Sequence, residues 1–295
     1  MRYLKLSAVL AVAVFASVSC KSQYDLLLEG SDTEAKYKAA FEYFESGKYQ
    51  KSAALFESLA MVTQGTERDD TVQYYWGLSN YRFKDYYTAE TNFKSFLEKF
   101  PRSPFAEPAR FFRVDCLYKS SLRYELDQAP SVATITAIGE YLTNYPQTDH
   151  LDVCQSMLDD LSERLDKKAY EAAKLYYKME DYQAARVALK NVLKDDADNI
   201  YREDVLYYAA MASYKYAQLS YAEKQKERYL VFVDDYLNFI GEYPESAYRR
   251  EMDTLYKRAQ KALGKYAGPE DDLDDKTSDK EFEKERKQMQ QEKAD

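Results

Sequence analysis

Three segments of this chain repeat one signature, an aromatic residue followed by proline, a variable residue and Ser or Thr: Phe100-Pro101-Arg102-Ser103, Tyr145-Pro146-Gln147-Thr148 and Tyr243-Pro244-Glu245-Ser246. Each closes a run with helical periodicity, as in Phe93, Phe96, Leu97 and Phe100, and each precedes another such run. Proline has no backbone donor and stops a helix, while the Ser or Thr hydroxyl can cap the next one. A chain punctuated in this way is predicted to fold as successive helix hairpins. Composition agrees, because 8 Gly and 7 Pro leave few other breakers, and 30 Tyr and 14 Phe supply rings to fill the space between helices.

Within these segments small and aromatic residues recur at the positions of a tetratricopeptide-type helix-turn-helix repeat. The first shows Ala40, Tyr43, Gly47, Tyr49, Phe56 and Leu59, the second Gly77, Tyr86, Ala89, Phe93, Phe96 and Pro101, and the fourth Ala173, Tyr176, Tyr182, Ala185, Leu189 and Val192. Small residues are needed where the two helices of a repeat cross closely, and aromatics fill the gaps between repeats. The expected fold is all-α, a tetratricopeptide-repeat superhelix (solenoid) of about five helix-turn-helix repeats. These are 32–64, 69–101, 105–146, 148–197 and 200–244, followed by a closing helix at 246–263. The third repeat carries an insertion at 123–131, and the fourth opens with a long helix running through Met179. Residues 264–295 are dense in charge and poor in apolar residues, which predicts a disordered tail or at most a solvated helix.

The N-terminus reads as an export signal. Arg2 and Lys5 precede an apolar or small-residue run of about 13 residues, too short to span a bilayer. The run ends in Ser17-Val18-Ser19-Cys20, similar to the lipobox of a bacterial lipoprotein, although Leu is usual where Ser17 stands. Residues 1–19 are therefore assigned as a lipoprotein signal peptide, Cys20 as the lipidated N-terminus and 20–31 as a lipid-anchored linker. An ordinary secretory signal cleaved near Ala16 is the alternative. No cluster of acidic residues follows Cys20, so a periplasm-facing anchor is the default. Cys116 and Cys154 fall in helical patterns, where buried free thiols are expected in preference to a disulfide.

Candidate chemistry is sparse. A formal net charge of -9 argues against sequence-independent nucleic-acid binding, since phosphate backbones are held mainly by Lys and Arg. The lone histidine, His150, cannot build a triad or a His-rich zinc site from this chain alone. There is no glycine-rich phosphate loop and no Cys-x-x-Cys. Acidic pairs such as Asp69-Asp70, Asp159-Asp160 and Asp195-Asp196 sit at helix ends or on polar faces, as solubilising carboxylates do. No cofactor, metal or enzymatic activity is expected.

What remains is a surface. The first helix of each repeat is expected to line the inner face. Periodicity places Tyr37, Phe41 and Phe44 there from the first repeat, Tyr74, Tyr75, Tyr81 and Arg82 from the second, and Phe111 and Tyr118 from the third. Edged by Arg82, Arg110 and Arg113, such a groove suits an extended peptide ending in an aromatic residue or a carboxylate. The competing account makes several of these rings core between repeats.

Residues 20–263 also resemble BamD-type lipoproteins of the outer-membrane β-barrel assembly machinery. The resemblance is carried by Tyr24-Asp25-Leu26-Leu27-Leu28-Glu29-Gly30-Ser31, by Lys36-Tyr37 with Ala40 and Tyr43-Phe44, and by Gly65-Thr66-Glu67. It is carried further by Leu126-Asp127-Gln128 followed by Thr134, Ala137-Ile138 and Tyr145-Pro146. The resemblance implies outer-membrane attachment through the N-terminal lipid. It also implies recognition of unfolded outer-membrane β-barrel proteins by the first three repeats and docking of the last two on a BamA-type barrel subunit. Two other readings share the repeats: a periplasmic adaptor lipoprotein of a cell-wall or division complex, and a glycan-binding SusD-like lipoprotein, although those chains are generally much longer.

Overall fold

The computed structural model describes residues 22–265 and 275–292, which form thirteen α-helices and no strand. In chain order these are α1 (Gln23–Glu29), α2 (Thr33–Glu45), α3 (Tyr49–Ala60), α4 (Asp69–Phe83), α5 (Tyr86–Lys99), α6 (Ala106–Ser120) and α7 (Ala129–Asn144). They are followed by α8 (Leu151–Lys178), α9 (Tyr182–Asp195), α10 (Arg202–Gln218), α11 (Ala222–Glu242), α12 (Arg249–Ala262) and α13 (Asp275–Glu292). The signal-like segment and Cys20 lie outside the described residues. The chain divides into two compact units, Met1–Leu161 and Ser162–Asp295, with the boundary inside the 28-residue α8.

One turn geometry recurs inside three hairpins. Gly47, Lys84 and Glu180 all take the left-handed conformation, with φ of 74°, 69° and 63°. In each turn the next amide reaches back five residues: Lys48 N to Tyr43 O at 2.8 Å, Asp85 N to Asn80 O at 3.0 Å and Asp181 N to Tyr176 O at 3.0 Å. This is a Schellman-type closure that satisfies carbonyls left over at the helix end. Asp85 and Asp181 then cap the following helix through their carboxylates, whereas Lys48 makes no such cap. Only Gly47 adopts the required φ without a Cβ penalty.

Where helices cross, small side chains admit close approach. A Cβ on Gly77 would lie 3.0 Å from the Phe93 ring, so α4 and α5 tolerate no larger residue there without a shift. In the first hairpin Ser52 plays a related part, donating from Oγ to the Ala40 carbonyl at 2.9 Å. Ala40, Ala89 and Ala185 are fully buried.

The core of the first unit is a chain of three apolar clusters. Leu55, Phe56, Leu59 and Val72 centre the first, Tyr74, Phe93, Phe96 and Ala109 the second, and Ile138, Tyr141, Met157 and Leu161 the third. Each draws on neighbouring helices only, as a repeat architecture requires. The second unit has a single cluster organised around α10, whose Tyr207, Tyr208, Ala210, Met211 and Tyr214 are all buried. Cys116 and Cys154 are buried free thiols in the first unit. Burial, with the Asp115 and Glu90 charges, pushes the Cys116 thiol up to about 12, which disfavours the reactive thiolate.

Four expectations change. The segment expected as a linker contains helix α1, capped by Ser22 and docked through Tyr24, whose ring meets Tyr43 edge-on at 5.4 Å and whose hydroxyl donates to the Lys51 carbonyl at 3.1 Å. The tail expected to be disordered or at most a solvated helix contains α13, one face of which is not solvated, because its few apolar side chains share that face and find a partner surface: Phe282 is 3% exposed and Met289 packs on the α10 cluster. Asp69 is not a solubilising carboxylate: it is 2% exposed, held by Lys99 Nζ at 2.7 Å and by the Gly65 amide at 2.8 Å. The insertion shortens too, since α7 already begins at Ala129. The buried Gln128 amide ties down the preceding loop by donating to the carbonyls of Leu122, Arg123 and Leu126 at 2.8–3.3 Å.

Candidate partner-binding surfaces

The ten groove residues named from the sequence fall into three groups in the first unit. Tyr37 lies 5.1 Å from Phe41, beneath the Arg68 guanidinium at 4.6 Å. Phe41 packs edge-on against Phe56 and Tyr75, and Phe44 against Tyr75 at 5.3 Å. These rings are half-buried. Tyr74 is different. It is 6% exposed and stacks on Phe105 at 4.6 Å, so it is core between helices and presents nothing to a groove.

Tyr81 is half-buried and donates its hydroxyl to Asp115 at 2.5 Å. Burial first, and that carboxylate second, hold its phenol above the usual range. Arg82 is exposed, beside a shallow crevice lined by Lys48, Tyr49 and Phe83. In the third group Phe111 stacks on the His150 imidazole at 3.6 Å, and Tyr118 donates to Asp160 at 2.9 Å. The Arg110 Nε is buried with no hydrogen-bond partner. The structure thus brings Tyr37, Phe41, Phe44 and Tyr75 together, with Tyr81, Arg82 and the Phe111 group separately placed.

The second unit holds an open apolar groove that the repeat pattern did not single out. Leu165, Ala169, Ala172, Tyr176 and Met179 of α8 and the turn after it line about 690 Å³ together with Ala188 and Asn191 of α9. Leu175, Tyr176 and Met179 are 41–57% exposed there, and Val187, 53% exposed, lines an adjoining crevice, an unusual concentration of solvent-facing apolar surface. A signal for it does exist in the sequence. Positions 165, 169, 172, 176 and 179 follow a four-three spacing, a second apolar stripe on a helix whose Tyr170, Ala173 and Tyr177 already face the core.

The rim of this groove is acidic, with Asp166, Asp195 and Asp196. Burial first, and the neighbouring Asp196 as well, hold the Asp166 carboxyl above its ordinary value, despite the Ile200 amide donating to it at 3.1 Å. Among the described residues no group of His, Cys, Asp and Glu could hold a metal ion. No described helix is long and apolar enough to cross a membrane.

Paired helices, small residues at the crossings and open aromatic and apolar faces define a helical-repeat protein of the tetratricopeptide class. Residues 29–230 match the family described as YfiO, outer membrane lipoprotein, and the chain belongs to that family. The outer membrane protein assembly factor BamD of Caulobacter vibrioides is 20% identical over 203 residues, covering 68% of this chain and 67% of the relative. A solved thermophilic TPR protein of Thermus thermophilus is 13% identical, covers 78% of this chain and 98% of its own, and has a TM-score of 0.31.

Proposed function

We propose that this chain is a lipid-anchored scaffold of outer-membrane β-barrel assembly, facing the periplasm, that holds partners and performs no chemistry of its own. Its second unit docks on a BamA-type barrel subunit through the α8–α9 groove. Its first unit receives unfolded outer-membrane proteins on the half-buried rings around Tyr37, Phe41, Phe44 and Tyr75, with Tyr81, Arg82, Arg110, Phe111 and Tyr118 as further contacts.

The observation that carries the docking reading is the exposed apolar surface of Leu175, Tyr176 and Met179 in the α8–α9 groove, in a chain of the outer membrane lipoprotein family. Apolar surface of this extent is costly to leave in water and contributes most when a partner covers it. The acidic rim selects a partner with basic residues at the edge of an apolar patch. The half-buried rings support client binding because an aromatic side chain can stack on whatever ring surface is left exposed.

The test is a pull-down of the mature full-length chain from solubilised membranes. A BamA-type subunit should be retained in stoichiometric amount by the wild type and lost with Tyr176→Asp/Met179→Asp, while the variant melts unchanged. Retention of a cell-wall or division complex, with no barrel subunit, would replace this reading by the adaptor one.

A further inference from the structure

One face of helix α13 meets residues of α12 and the α10 cluster in the second unit. Phe282 is 3% exposed, with the Arg250 guanidinium 5.3 Å from its ring centroid. One turn later Arg286 places Nε 3.5 Å from Glu251 Oε2, the same oxygen that accepts from the Tyr207 hydroxyl at 2.7 Å. Tyr177 of α8 and Tyr207 of α10 are both near enough to act on the Arg286 charge. Another turn on, Met289 packs against the α10 cluster. Positions 282, 286 and 289 are spaced four and three, one face of a helix. Glu281 and Glu285 flank that face and reach Arg250 at 3.3 and 3.1 Å.

This is a helix laid in a receptor site, with a socket for an aromatic ring, an acidic group for an arginine one turn on, and a cation for two flanking carboxylates. Its hold is narrow. The ion pairs to Arg250 are roughly half or more exposed on both sides, where screening leaves them little strength. The rest of α13 is almost entirely charged or polar, and such a helix of 18 residues is marginal on its own. Being part of the same chain gives it a high local concentration at the site. Helix α13 also lies outside the residues matched by the family, 29–230.

We propose that the face formed by Tyr177, Tyr207, Arg250 and Glu251 is a binding site for an amphipathic partner helix carrying the pattern Glu-aromatic-x-x-Glu-Arg-x-x-apolar, and that α13 is its built-in, displaceable occupant. A partner helix with this pattern takes the same contacts, and α13 leaves. The face stays closed until such a partner is present at a concentration that competes with the tethered helix. This inference is independent of the α8–α9 groove and of the identity of the barrel subunit.

The experiment titrates a labelled synthetic peptide of residues 275–292 against the full chain and against full-length Phe282→Ala/Arg286→Ala, in which the internal occupant is crippled and the receptor face is intact. The variant should bind the peptide at least tenfold more tightly than the wild type. Adding Arg250→Glu to it should weaken that binding, and Phe282→Ala in the peptide should abolish it. Hydrogen exchange on the wild type provides the second readout, with amides of 275–292 exchanging far faster than those of α10. Equal peptide affinity for wild type and variant, absence of binding by the folded variant, or α13 amides as protected as α10 would each overturn the proposal and make α13 a fixed part of the fold.

Discussion

Arg186 on α9 and Asp235 on α11, 49 residues apart in sequence, form a two-pronged hydrogen bond, Nε to Oδ2 at 2.7 Å and Nη2 to Oδ1 at 3.3 Å. Lys190 and Ser213 donate to the same carboxylate, so one buried acid ties together the second helices of two successive hairpins and the first helix of the later one. Burial alone would raise the Asp235 pKa, but the donors outweigh it and hold the carboxyl below its ordinary value.

Asp235→Ala removes the acceptor and leaves two cations facing a buried site. It should cost about 2–4 kcal/mol, since breaking a partly buried ion pair strands the surviving charges. The pH dependence has a definite sign. Because the folded-state pKa is depressed, the contribution is fully present above the ordinary carboxylate range and is lost as pH falls through that range toward the depressed folded value. Denaturant midpoints measured from pH 7 down to 3 should drop for the wild type, and the drop should be shallower in Asp235→Asn.

Glu180 and Lys84 occupy the left-handed position that Gly47 fills in the first hairpin. Glu180→Gly and Lys84→Gly should each stabilise by about 0.5–1 kcal/mol, the relieved Cβ strain being partly offset by the backbone entropy of glycine. Gly47→Ala should shift stability the opposite way. Thermal melts of the three variants check this, and a loss of stability on introducing either glycine would mean that the turn carries no strain.

Ala185 is fully buried on α9, so Ala185→Trp must force side chains off their rotamers or spread the helices. A loss of about 1–3 kcal/mol or more is expected. Docking through the adjacent α8–α9 groove should weaken with it. An unchanged melting temperature would place Ala185 away from the crossing.

Core rings and surface rings separate by their effect on melting. Tyr74→Ala should lower stability by about 3–5 kcal/mol, as large-to-small core changes do. Arg82→Ala should leave melting unchanged and reduce, in a salt-sensitive way, the binding of a labelled C-terminal peptide from an outer-membrane barrel protein. Truncating both Tyr37 and Phe41 should weaken that peptide at least tenfold, because each ring contributes on the order of 0.5–1.5 kcal/mol of stacking beyond its area. Equal affinity in all of these variants would remove the client site from the first unit.

Lipid attachment is tested at Cys20. Cys20→Ala should move the chain from the membrane to the soluble fraction in cells lacking the barrel subunit. Full membrane retention there would assign anchoring to something other than Cys20.

The hairpins were legible in the sequence because helix termination is a local property. Prolines at 101, 146 and 244 and the small residues at 40, 77, 89 and 185 act within a turn or across one crossing, so their spacing alone marks the helices. The destinations of the rings were decided only by the tertiary structure. Tyr74 and Tyr75 are adjacent, yet one is core and the other half-buried, because Tyr74 is enclosed by Phe93 and Phe96 of α5 and stacked on by Phe105 from the next hairpin. The same holds for Asp69, a surface acid by pattern, which Lys99 from 30 residues away makes a buried link. It holds for α13 as well. Its composition describes a solvated segment, since apolar content is counted along the chain, but Phe282, Arg286 and Met289 need only one matching face, and that face is assembled from α8, α10 and α12 once the second unit has folded.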